Sequence, residues 1–146
     1  MDILVAHTLS QQLVPKVVME LKGITVGGGF SGISGESSTF KHGLFSSTVS
    51  EVEVVLDDGT LKLASRHENE DLLRGAAGTM GTLGVVVLLT VELMEAKNFV
   101  SLELLRAPVL NDIPSMLESA TKREVDFINS ISFNDRLAVI MVRKIS

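Results

Sequence analysis

From Val49 the chain alternates, with Val49, Glu51 and Glu53 set against Val52, Val54 and Leu56. A period of two predicts a half-buried strand, and Asp58-Gly59 is the residue pair of a tight turn that returns the chain through Leu61 and Leu63. Asn69 or Glu70 then opens a short helix predicted over Asp71 to Ala77. Gly78, Gly81 and Gly84 punctuate the passage into Val85 to Met94, a run rich in β-branched residues that reads as a strand covered on both faces. Upstream, Asp2 is a candidate cap for a helix to about Leu13, with Ile3, Leu4, His7 and Leu9 giving an incomplete apolar face and Pro15 ending it. Val17 to Leu21 is a short apolar stretch leading into a glycine-rich segment.

The pattern changes after Lys97. Phe99 to Arg106 alternates like a strand, Asn111 or Asp112 is placed to cap a helix to about Lys122, and strands follow at Asp126 to Phe133 and Leu137 to Arg143, joined across Asn134-Asp135. This β-α-β-β order is the first half of a ferredoxin-like unit, whose remaining helix and strand do not follow. An uncovered edge is expected at Leu137 to Arg143, with Leu137, Val139 and Met141 unprotected and self-association as the consequence.

Between these regions lies GITVGGGFSGISGESSTFKHGLF, residues 23–45, which holds seven of the chain's twelve glycines and six serines and threonines. Such a stretch brings bare N–H groups and hydroxyls close to something, commonly a phosphate. Gly27 to Gly32 satisfies G-x-G-x-x-G, but a dinucleotide fingerprint needs a buried strand before it and a helix of about three turns after it. Residues 36–43 read instead as loop, which argues against that unit. A glycine-rich turn with only a structural purpose is the other reading of the residues alone.

Composition narrows the function classes. The net charge is −5, with no basic patch and no Trp or Tyr to stack on bases, so a nucleic-acid partner is not expected. There is no cysteine, which excludes disulfides, thiolate catalysis and cysteine-ligated metals. His7, His42 and His67 have no metal-ligand spacing, so no metal site is expected, and no G-x-S-x-G elbow occurs. No apolar run approaches the roughly 20 residues of a membrane span, and the N-terminus lacks a charged region followed by an apolar core. The chain as given reads as soluble, without a signal peptide or transmembrane segment.

The order of four motifs is more specific than any one of them. ITVGGGFSG with GESSTFKHGLF, then the Val55-Leu56-Asp57-Asp58-Gly59 hairpin, then the Gly81-Thr82-Leu83-Gly84-Val85 turn, resembles the FAD-binding domain of the vanillyl-alcohol-oxidase and p-cresol-methylhydroxylase (PCMH-type) flavoproteins. Within that group the order is most similar to the delta-24 sterol reductase (Diminuto) branch. The resemblance runs from about Ala6 to about Arg143 and covers part of the family's full protein.

The resemblance implies an α+β fold: residues 1–97 as the second α/β subdomain of a PCMH-type FAD-binding domain, and residues 98–146 as the start of a ferredoxin-like cap domain. It implies FAD as cofactor, lined by Thr25, Val26, Gly27, Gly28, Gly29, Phe30, Ser31, Gly32, Ile33, Ser34, Gly35, Glu36 and Ser37, with Lys41 as a nearby charge and Gly84 and Val85 at the GTLGV turn. The blander readings are turn formation at Ser34, Ser37, Ser38 and Thr39, a solvated Lys41, and close packing before a buried strand at Gly81 to Val85. His42 lies in the matching run, and its approach to the flavin is part of the same implication. The implied activity is reduction of a carbon–carbon double bond in a substrate's side chain, with NADPH and a sterol or other small substrate as partners of the full protein; an FAD-linked oxidase and a non-catalytic truncated remnant are the alternatives. No catalytic residue is identified. The family's first subdomain, with its own glycine-rich loop, has no counterpart before Gly23, so the chain is expected to be a middle piece; family members are often membrane-associated through segments outside it.

Overall fold

The computed structural model describes every residue except Pro108. The protein is mixed α/β with most of its ordered residues in sheets, and it divides into two units, Met1–Glu95 and Ala96–Ser146.

The first unit opens with helix α1, Asp2–Leu9. It stops four residues short of the expected Leu13, because Ser10, Gln11 and Gln12 form a turn in which Gln12 takes a left-handed backbone (φ 60°). Pro15 also disfavours helix at Val14. Strand β1, Leu13–Pro15, follows at once. Asp2 does not cap α1 from outside; its Oδ1 accepts from the N–H of Ile3 at 2.8 Å.

The glycine-rich segment was expected to be loop and is partly helical. Helix α2, Val26–Ser31, is capped by Thr25, whose Oγ1 accepts from Gly28 N–H at 2.9 Å. Gly at three of six positions opposes a helix by about 1 kcal/mol each. The cap and the complete burial of Phe30 outweigh that preference. Helix α3, Thr39–His42, likewise replaces expected loop and ends at Gly43, φ 77°. A 3₁₀ turn, Phe45–Thr48, leads into β2.

Strand β2, Val49–Val55, and strand β3, Leu61–Ser65, form the expected antiparallel hairpin, with Val55 opposite Leu61 and Gly59 at φ 79° in the turn. Val49, Val52 and Val54 are all buried although they differ in parity. A register shift between Val49 and Glu51 accounts for this by changing which face each residue takes. Helix α4, Glu70–Ala76, starts from Asn69 in a left-handed conformation, and the Asn69 amide donates to Leu63 O at 2.7 Å rather than capping the helix.

The expected single strand Val85 to Met94 is two. Strand β4, Val85–Val91, pairs with β2, giving the order β3-β2-β4; strand β5, Leu93–Glu95, turns away to pair with β1. The break falls at Glu92, whose N–H donates to Thr48 O at 2.8 Å. Nor is β4 covered on both faces. Val86, Leu89 and Val91 pack on the core, while Val85, Val87 and Leu88 are 64%, 55% and 45% exposed. A continuous apolar run shows that a strand suits burial, and the layer needed to bury its second face is absent among the described residues. The core beneath gathers Phe30, Phe45, Val17, Met19, Val52 and Val54.

In the second unit, strand β6, Val100–Ala107, leads through a 3₁₀ turn, Leu110–Asp112, to helix α5, Ile113–Thr121, then strands β7, Phe127–Asn134, and β8, Leu137–Ile145. The sheet order is β6-β8-β7. Helix α5 covers one face, with Ala120, Val125, Ile140 and Val142 buried and Leu105, Met116, Leu117 and Ile128 around them. The Leu137 to Arg143 stretch, expected at an edge, is therefore the central strand, bonded on both sides. Leu137, Val139 and Met141 are half-buried. The edges are β6 and β7. Among the described residues no helix is long and apolar enough to cross a membrane.

Candidate functional site

The candidate residues of the glycine-rich segment cluster around α2. Thr25 stands at its start, exposed, with its hydroxyl oxygen on Gly28 N–H. Val26 and Gly27 occupy the first two helical positions, where backbone N–H groups have no partner within the helix. A side chain added at Gly27 would meet nothing within 4 Å, so the backbone there is bare and open on that side.

The other glycines have packing reasons of their own. At Gly29 an added Cβ would lie 2.2 Å from Met19 Cε and 3.4 Å from Phe45 Cδ1. At Gly32 it would lie 2.8 Å from Gly28 O, and at Gly35 3.2 Å from Leu44 Cδ2. Gly28 is intermediate: its missing Cβ would sit 2.9 Å from the capping Thr25 Oγ1. Phe30 is a core residue, and Ser31 lends its carbonyl to Met80 N–H at 3.1 Å. Ile33 holds a left-handed backbone (φ 52°) and lies over Gly78, where an added Cβ would be 2.2 Å from its side chain.

Two hydrogen bonds bring the predicted halves of the site together. Gly78 N–H donates to Phe30 O at 3.2 Å and Met80 N–H to Ser31 O, which fastens the turn before β4 to the end of α2. Gly84, at the end of that turn, takes φ 154° and packs on β2, its missing Cβ 2.6 Å from Val55 O. Val85 is exposed beside it. Farther along the segment, Ser34 bridges by donating its N–H to Gly29 O and accepting from Phe45 N–H. Glu36 is occupied in tying backbone segments together, its Oε1 accepting from Glu20 N–H at 2.9 Å and its own N–H donating to Thr39 Oγ1 at 2.7 Å. Ser37 is half-buried before α3, and Lys41 is exposed on α3 itself.

The ionic centre of this unit lies elsewhere. Lys16 Nζ is 2.6 Å from Glu92 Oε2. The Lys16 ammonium, by its hydrogen bond first and its charge second, holds the Glu92 carboxyl below the usual range, with Arg66 and His42 adding to the effect. A cleft of about 520 Å³ is lined by Ser46, Ser47, Val49, Arg66, Glu70, Leu73, Arg74 and Ala77. None of the predicted cofactor residues lines it. Arg66 reaches across to Ser47 O at 3.3 Å, and Arg74 pairs with Glu70 one turn away. No pattern in the sequence marks this cleft, because Arg66 and Arg74 follow the hairpin and the α4 spacing without a motif. Among the described residues no group of three His, Asp or Glu could hold a metal ion.

Known proteins are similar to most of this chain. Delta(24)-sterol reductase of Pisum sativum is 30% identical over 148 residues, covering 92% of this chain and 26% of the relative. The protein is homologous to delta(24)-sterol reductases. That of Homo sapiens is 32% identical over 126 residues, 86% of this chain and 24% of the relative. Cytokinin dehydrogenase 9 of Oryza sativa subsp. japonica is 34% identical over 94 residues, 64% of this chain and 18% of the relative. The sequence spans about a quarter of the length of the sterol reductases it matches. No family model matches it.

Proposed function

We propose that this protein is the FAD-binding portion of a flavin-dependent oxidoreductase of the sterol reductase kind, in which residues 1–97 hold the cofactor and residues 98–146 begin a substrate-facing domain. The observation that carries the reading is the open backbone at Gly27 beside the capping Thr25, in a chain similar to a sterol reductase over most of its length. Phosphate oxygens need converging N–H donors more than they need full charges. Val26 and Gly27 offer such donors, and Thr25, Gly28, Ile33, Ser34 and Ser37 stand within the same segment. Gly29, Phe30, Ser31, Gly32, Gly35 and Glu36 support the segment's shape by the packing and bonds described above. Lys41 adds a positive charge from α3, and Gly84 and Val85 end the turn that Gly78 and Met80 fasten to the end of α2.

When bound, FAD supplies hydride transfer through its isoalloxazine ring. The protein's part is to bind and orient it. In the sterol reductase reading the electrons come from NADPH and go to a carbon–carbon double bond in the side chain of a sterol. The similarity to a cytokinin dehydrogenase favours a second reading, an FAD-linked oxidase of another substrate.

All the proposed contacts come from one side of the cofactor. A diphosphate held this way forgoes part of its charge-assisted hydrogen bonds, each worth about 1.5–3 kcal/mol. The 146-residue protein is therefore expected to purify colourless and to bind added FAD weakly but saturably, as read by flavin fluorescence. A flat titration to millimolar protein contradicts the proposal.

A further inference from the structure

Strand β7 lies at the edge of the second unit's sheet, bonded to β8 on one side only. Its sequence, FINSISFN, contains no charged residue, no Pro and no Gly. That is the composition of segments that pair with copies of themselves. Natural edge strands are guarded by Lys, Pro, inward charges or bulges. The opposite edge, β6, has such guards in Arg106 and in Glu103, which is paired with Arg123. On β7 the only guard among the described residues is a register shift between Ser132 and Asn134, at its far end. Residues 130–134 are exposed, Ile131 by 47% and Phe133 by 63%.

We propose that β7 is a self-recognition edge, where β7 of a second copy pairs antiparallel about a two-fold axis at Ser130 to make a continuous six-stranded sheet. In that register Ser130 faces its own copy, Asn129 faces Ile131 of the second copy, and Ile128 faces Ser132. No like charges oppose one another. Serine hydroxyls are matched across the axis, and Phe127 and Phe133 of opposite copies meet at each end of the paired stretch. The two-fold closes the assembly and leaves β6, with its charges, on both outer edges. A partner of different sequence gains nothing from this symmetry, which is why a second copy is the occupant.

The test is sedimentation velocity on the full protein across a concentration series, with three variants whose folding is checked by circular dichroism. The sequence has no cysteine, so single-cysteine variants report contacts cleanly. The expected results are a concentration-dependent dimer, at least tenfold weaker with Ile131→Lys, and disulfide-linked dimer from Ser130→Cys but not from Ser101→Cys on β6. A monomer at every concentration overturns the proposal, as does a dimer indifferent to Ile131→Lys or one cross-linked through Ser101→Cys instead.

Discussion

Lys16 and Glu92 stand 76 positions apart in sequence, and the Nζ of one lies 2.6 Å from the Oε2 of the other. The pair joins the ends of β1 and β5, the two short strands that close the first unit. Both side chains are about one-third exposed, so solvent screening discounts the pair to about 1 kcal/mol or less.

The sign of its pH dependence follows from the direction of the shift. Glu92 has a lowered pKa in the folded protein, relative to an ordinary value of 4.5, mainly through the Lys16 hydrogen bond. Its contribution is thus present above about pH 4.5 and lost as pH falls through the lower folded value. Asp58 behaves in the same direction from 3.8, because Thr60 donates to its carboxylate. Glu92→Gln should lower stability slightly at pH 7 and reduce the loss between neutral and acid pH. Urea unfolding at both ends of the range checks this, and curves displaced equally at pH 7 and pH 3 would contradict it.

At Gly84 the space for a side chain is already taken. An alanine there would press its Cβ to 2.6 Å from Val55 O and 2.7 Å from Val54 Cγ1, with φ at 154°. The backbone oxygen cannot swing aside as a flexible side chain can. Gly84→Ala is expected to cost about 1–3 kcal/mol. A thermal midpoint unchanged from the parent would show that the turn before β4 is looser than described.

The cap on α2 gives a separate prediction. Thr25→Ala removes the acceptor for Gly28 N–H and should cost about 1 kcal/mol, whereas Thr25→Ser keeps the oxygen and should cost less. Denaturant unfolding of the pair measures the difference. Equal loss in both variants would mean that the methyl group, rather than the hydroxyl, matters at this position.

The β2–β3 hairpin is legible in sequence because its signals are local: alternation on one strand and Asp58-Gly59 at the turn. The β-α-β-β order after Lys97 is legible for the same reason. Sheet order is not local. That β8 lies between β6 and β7 depends on which partners the strands find, and the alternation of Leu137, Val139 and Met141 suits an edge and a centre equally. The helix at Val26–Ser31 is hidden because glycine propensity points away from it, and only Thr25 as cap and Phe30 as anchor reverse the preference. For the candidate site, the glycine cluster announces bare backbone. Packing then separates Gly27, open on its Cβ side, from Gly29 beneath Met19, a distinction that spacing does not contain.

That distinction permits the most direct measurement. At Gly27 an added methyl meets nothing within 4 Å, and alanine favours a helix over glycine by about 1 kcal/mol. Gly27→Ala should therefore fold as well as the parent or slightly better. If bare backbone at Gly27 is where the cofactor approaches, the same methyl should obstruct it. Parallel titrations of FAD into the parent and the Gly27→Ala variant, each with its thermal midpoint, should give at least tenfold weaker binding in the variant with an equal or higher midpoint. Equal FAD affinity in the two proteins, or no saturable binding in the parent, would contradict the assignment of this segment as a flavin site.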